Sequence, residues 1–119
     1  MQNIKTFEDA CKAVGIDPEN FNSSMADLPE TLKNRLIDFG KVAIVTEALN
    51  EGWKPNWDDD DEEKYYPWFD MGSKSFSIDN VVFFYRYSDV NSRLCFKSRE
   101  LARYAAETFP ELYKNYMLM

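Results

Sequence analysis

At 119 residues the chain fits one domain, 1–119, and is long enough to bury a core without disulfide or metal staples. Its 45% hydrophobic and 16% aromatic content argues for a soluble globular fold in spite of a net charge of -7. A pI near 4.6 gives a surface that on average repels phosphate backbones, and no apolar run approaches the ~18 residues of a membrane span, which disfavours general nucleic-acid binding and a transmembrane helix.

The N-terminal stretch MQNIKTFEDACKAVG carries an acid pair where a signal peptide would place its apolar segment, so the expected location is the cytoplasm. Phe7, Ala10, Cys11 and Val14 share one face at helical spacing. Thr6 is the expected N-cap, Asp9 its capping-box partner, and Gly15 the left-handed stop. IDPENF offers Asp17 as cap and Pro18 in the first position of one short turn. A long helix follows, with Asp27 or Leu28 as cap and Pro29 in the first turn, running to a stop at Gly52, with Leu32, Leu36, Phe39, Ala43, Ile37, Ile44 and Ala48 in a stripe wide enough to need more than one covering element. Gly40 inside it predicts close approach of another backbone, because glycine costs roughly 1 kcal/mol against alanine in a helix.

Residues 1–52 thus form a helical part, and 53–63 an acidic aromatic loop. From Lys64 the period changes to alternation. KYYPWFDM, NVVFFYRYSD and SRLCFKS read as strands, with GSKSFSID and DVNS as their connections. Pro67 marks the first strand as an edge or a bulge. The sheet is therefore expected over 64–97 and a C-terminal helix, capped by Ser98, over 98–117, either kinked near Ala106 by Pro110 or restarted after Thr108. The fold class is α+β: a three-stranded antiparallel β-meander packed against two long helices, with a short N-terminal helix.

Chemistry-bearing motifs are few. The run Asp58 to Glu63 fails as an EF-hand loop, since its sixth and twelfth positions hold Glu63 and Phe69 in one register, Lys64 and Asp70 in the next. A hydrated, self-repelling loop is the plainer reading, and no metal or cofactor is assigned. Histidine is absent, as are Gly-rich phosphate loops and GxSxG elbows, so no catalytic residue is named and the chain reads as a non-enzyme. Cys11 and Cys95 are too few for a disulfide framework. Strict alternation would set Cys95 on one face with Arg93 and Lys97, which would favour thiolate; simple burial is the competing reading.

The aromatics carry the main functional expectation. Trp53, Trp57, Tyr65, Tyr66 and Trp68 form a candidate protein-binding platform, because a sheet with rings on both faces needs a loop, a second copy or a partner to cover one of them. The inward set of the second strand is either Val81, Phe83, Tyr85 and Tyr87 or Val82, Phe84 and Arg86, the former being more apolar. Charge is uneven: residues 1–80 carry 8 basic and 17 acidic side chains, residues 81–119 carry 6 and 4. Arg86, Arg93, Lys97, Arg99 and Arg103 are accordingly an alternative, nucleic-acid-binding strip beside stacking aromatics, and Asp58 to Glu63 a third reading as a nucleic-acid mimic.

In TFEDACKAVGIDPENF, NEGWKPNW, KYYPWFDM and SRLCFKSRELARYAAETF the sequence resembles an uncharacterised family of small proteins from gut Bacteroidales and their phages or prophages, over most of its length. The acid run is longer than in related members, which carry Asn or other polar residues there. The resemblance implies a phage or mobile-element accessory protein in a bacterial cell, and no catalytic residues. The expected partner is a protein or a second copy, with no membrane contact.

Overall fold

In the computed structural model, which describes residues 3–118, Thr6 begins the first helix, α1 (Phe7–Val14), through a reciprocal capping box. Its Oγ1 accepts the Asp9 N–H at 3.1 Å, and Asp9 Oδ2 accepts the N–H groups of Thr6 and Lys5 at 3.2 and 3.0 Å. Those bonds, that from Lys5 first, hold the Asp9 carboxyl below its ordinary value. Gly15, at φ 77°, turns the chain out of the helix. Asp17 caps α2 (Pro18–Ser23).

α3 (Glu30–Asn50) is the long helix, and its two halves differ. Val42, Val45 and Leu49 are buried against the rest of the molecule, whereas Leu32, Leu36 and Phe39 remain exposed. The close approach at Gly40 comes from a ring and not from a backbone: a Cβ there would lie 2.5 Å from Cζ of Phe21, on α2.

Among the described residues only two strands form, β1 (Lys64–Asp70) and β2 (Ser77–Phe84), paired antiparallel from Lys64 opposite Phe84 to Asp70 opposite Ser77, with an irregularity between Trp68 and Phe69. The expected three-stranded meander on two long helices is therefore wrong. SRLCFKS instead starts as a 3-10 turn (Ser92–Leu94) and touches the sheet through one bridge, in which Tyr65 and Phe96 exchange backbone bonds of 3.0 and 2.8 Å. The other edge of this segment is taken by a side chain: Asn50 Nδ2 donates to the Cys95 carbonyl at 2.9 Å, and the Lys97 N–H donates to Asn50 Oδ1 at 3.1 Å. Leu94, Cys95 and Phe96 are buried in succession, a pattern that alternation cannot produce. Pro67, two residues beyond Tyr65, has its nitrogen on the outer side of β1, where the ladder asks for no donor.

The expected C-terminal helix is two helices. α4 (Arg99–Thr108) stops at Phe109, whose φ and ψ of -122° and 50° are not helical, and α5 (Pro110–Leu118) starts at the proline. The described residues thus form an α+β structure with five α-helices and a two-stranded sheet. α4 lies between the hairpin and α3, its small face of Ala102, Ala105 and Ala106 allowing close approach. α1 and α5 pack on α3, and one core joins Ala10, Val45, Leu49, Val81, Phe96 and Phe109. No helix among the described residues is long and apolar enough to cross a membrane.

Candidate interaction surface

The acidic loop is organised around a lysine. Lys64, first residue of β1, is completely buried (0% exposed), and its ammonium donates to the carbonyls of Asn56 at 2.7 Å, Asp59 at 3.3 Å and Tyr85 at 2.6 Å. The Glu62 carboxylate stands 3.4 Å away, and the Trp57 ring covers the charge with its centroid at 5.0 Å. Side-chain-to-backbone bonds shape the loop: Asn56 Oδ1 accepts from the Asp58 N–H at 3.0 Å, Asp59 Oδ1 from the Asp61 N–H at 2.9 Å, and Glu62 Oε1 from the Asn56 N–H at 2.7 Å. Loop carbonyls and a carboxylate wrapped around a positive charge are what a metal loop supplies; here the cation belongs to the chain. Among the described residues no three or more Asp, Glu, Cys or His converge on a common point.

The five rings expected to act together are divided: Tyr66 and Trp68 line one groove, and Trp53, Trp57 and Tyr65 do not line it. Trp57 is committed to Lys64. Tyr66 is buried, with its hydroxyl 3.0 Å from Ser88 Oγ, and desolvation pushes it up to about 12. Tyr65 lies on the opposite face of β1, packed on Phe83 at 5.7 Å, and its hydroxyl donates to the Glu63 carboxylate, a bond that raises its pKa. Trp53 is half-buried. Trp68 alone of the five is mostly open to solvent, at 52% exposure. Neither proposed inward set of β2 is buried as a whole: Val81 is in the core, while Phe83, Phe84, Tyr85 and Tyr87 are exposed.

Trp68 forms one wall of an apolar groove with Tyr66, Val82 and Phe84 from the same face of the hairpin; Leu94 and α5 residues Tyr113, Tyr116 and Met117 form the other. Its volume of about 150 Å³ admits one or two side chains and is smaller than an ordinary cofactor site. Tyr116 donates to Asn91 Oδ1 at 2.9 Å, fixing the rim. Past Tyr116 and Met117 the surface continues into an open trough of about 1150 Å³ bounded by Leu32, Leu36 and Leu118. Phe84 belongs to one of the two inward sets the alternation allows, whereas no spacing in the sequence brings Tyr116 and Met117 of α5 to the hairpin; the exposed half of α3 matches the excess width of its apolar stripe.

Four of the five residues of the basic strip contact partners within the chain. Arg86 pairs with Asp60 at 3.2 Å, Lys97 with Glu51 at 4.0 Å and Arg103 with Glu107 at 3.5 Å. Arg99 donates to the Val81 carbonyl at 2.8 Å and lies over the Tyr65 and Phe83 rings. Arg93 is exposed. Cys95 does not sit between cations on an open face: it is buried, and desolvation raises its thiol to about 11, away from thiolate chemistry. Cys11 is likewise buried, and its pKa is raised.

Comparison with models of protein families, with curated proteins and with solved structures finds no match in any of the three.

Proposed function

We propose that the protein is a non-enzymatic binding module, acting in the bacterial cytoplasm as a phage or mobile-element accessory factor, that takes an apolar side chain of a partner protein into the groove between the hairpin and α5. The observation carrying this reading is the grouping of exposed Trp68, Met71 and Phe84 with Met117 around a pocket sized for a side chain. Large rings and methionines at a shallow apolar cleft are the usual anchors of protein recognition. Charge specifies the partner further. Asp89 lines the groove, and the Asp58–Asp61 run stands at its Phe84 end, because Phe84 is the cross-strand neighbour of Lys64. The favoured ligand is an apolar segment flanked by lysine or arginine. The absence of histidine from the sequence supports a role without acid–base chemistry. Engagement of Arg86, Lys97, Arg99 and Arg103 inside the chain weighs against a phosphate-binding strip.

A synthetic Lys/Leu amphipathic peptide of about four helical turns is the probe. Titrated into the protein and followed by NMR, it is expected to give saturable shifts of the Trp68 indole and of the Met71 and Met117 methyls, and none in a folded Trp68→Ala variant. Unsaturable shifts, or the same Met71 and Met117 methyl shifts in Trp68→Ala, would refute the reading.

A further inference from the structure

The molecule exposes more surface than its mass requires. A monomer of 14.0 kDa should expose about 6,700 Å², yet the accessible area is 7646 Å². The radius of gyration tells the same story, 14.4 Å against about 13.5 Å for a domain of this length. The surplus, roughly 900 Å², matches the ~800 Å² that one partner buries in a standard interface. The first half of α3 is a clear source of it: Leu32, Leu36 and Phe39, with Leu28 just ahead of the helix, lie on one stripe and are all at least 37% exposed.

We infer that this half-helix is a self-association surface, packing antiparallel against the same half-helix of a second copy about a two-fold axis. The sequence of the stripe is self-complementary in that arrangement. With the axis level with the step between Leu36 and Ile37, Leu36 meets its own counterpart and Leu32 falls between Phe39 and Ala43 of the other copy, a knob-into-hole fit. The same axis puts Arg35 at the height of Asp38. Their positions relative to the stripe, at 100° per residue, place both on the same flank, and a two-fold axis of this kind brings that flank against its own copy. Both line the trough, and among the described residues neither forms an ion pair within its own chain. Two Arg35–Asp38 pairs would therefore close the edge of the interface. Tyr116, Met117 and Leu118 of α5 supply the second wall of the trough, so that each α3 would lie against two helices of the other copy. This surface shares Tyr116 and Met117 with the Trp68 groove but not Trp68, Met71 or Phe84.

Sedimentation velocity over a wide concentration range tests the inference. The wild type is expected to dimerise, and Leu36→Glu, at an exposed position, to be monomeric with unchanged circular dichroism. Arg35→Asp alone should weaken the dimer by about tenfold or more through like-charge contact with Asp38, and Arg35→Asp combined with Asp38→Arg should restore it. Trp68→Ala should stay dimeric, which separates this inference from the peptide-binding role of the groove. A wild type that remains monomeric at the highest concentration, a dimer indifferent to Leu36→Glu, or a double reversal that fails to restore association would each overturn it. In the first case the face is left for a different protein.

Discussion

Lys64 holds three backbone carbonyls, one carboxylate and one indole, and all five come from segments with no other regular structure. Replacing it by methionine keeps the aliphatic stem and removes every donor. The carbonyls of Asn56, Asp59 and Tyr85 must then find water or stay unpaired, at about 1–3 kcal/mol for each that stays buried. Lys64→Met is expected to cost about 2–4 kcal/mol in urea denaturation. It should also speed amide exchange across residues 56–62, which a change confined to the sheet would leave untouched. The sequence shows the acids and the lysine, but nothing in their spacing says that the loop turns its carbonyls inward toward that ammonium and leaves the Asp58–Asp61 side chains outside. For the same reason Trp57 and Trp68, expected to act together, end in different roles: one covers a buried charge, the other stays open.

At the scale of elements, two small polar or apolar details decide how segments meet. Asn50 ends α3 and uses its carboxamide as a substitute strand for Cys95 and Lys97. That capture holds the edge of residues 92–97 turned away from the sheet, while on the edge facing β1 the pairing stops at one bridge, where Ser92–Leu94 curls into a 3-10 turn and Pro67 has no N–H to continue it; no periodicity in SRLCFKS could reveal the capture. Gly40 was readable as a site of close approach, though its neighbour is the Phe21 ring. The consequence is a change of sign in a double-mutant cycle. In the wild type, Gly40→Ala should destabilise by about 1–2 kcal/mol, because the ring must move. In a Phe21→Ala background the same substitution should stabilise by about 0.5–1 kcal/mol, since only the helix propensity remains. Equal effects in both backgrounds would separate Gly40 from α2 packing. Pro110 was legible as an interruption, and the restart at that residue follows from its missing N–H.

For the whole molecule, the buried phenols and thiols set an alkaline limit on stability. Cys95 has an ordinary value of 9.0 and a folded value of about 11; Tyr66 goes from 10.0 to about 12, and burial raises Tyr113 further still. Below the unfolded values these groups are neutral in both states and contribute no pH dependence. Above them the unfolded chain ionises while the folded one does not, so stability falls as pH rises from about 9 toward 12. Urea midpoints measured across that range should decline steadily, and Cys95→Ala should flatten the early part of the decline; a flat profile to pH 11 would contradict it. The sequence by itself determined the α+β class, the caps of α1 and α2, the extent of the long helix and the change of period near Lys64, because each depends on local dihedral preference and on the spacing of apolar residues along a few turns. Only the tertiary structure decided the loss of the third strand, the cation inside the acid loop and the partition of rings between core and groove. Those outcomes depend on contacts between residues far apart in the chain: the Asn50 carboxamide on the Cys95 carbonyl, the Lys64 ammonium on the Tyr85 carbonyl, and the Tyr116 hydroxyl on the Asn91 side chain.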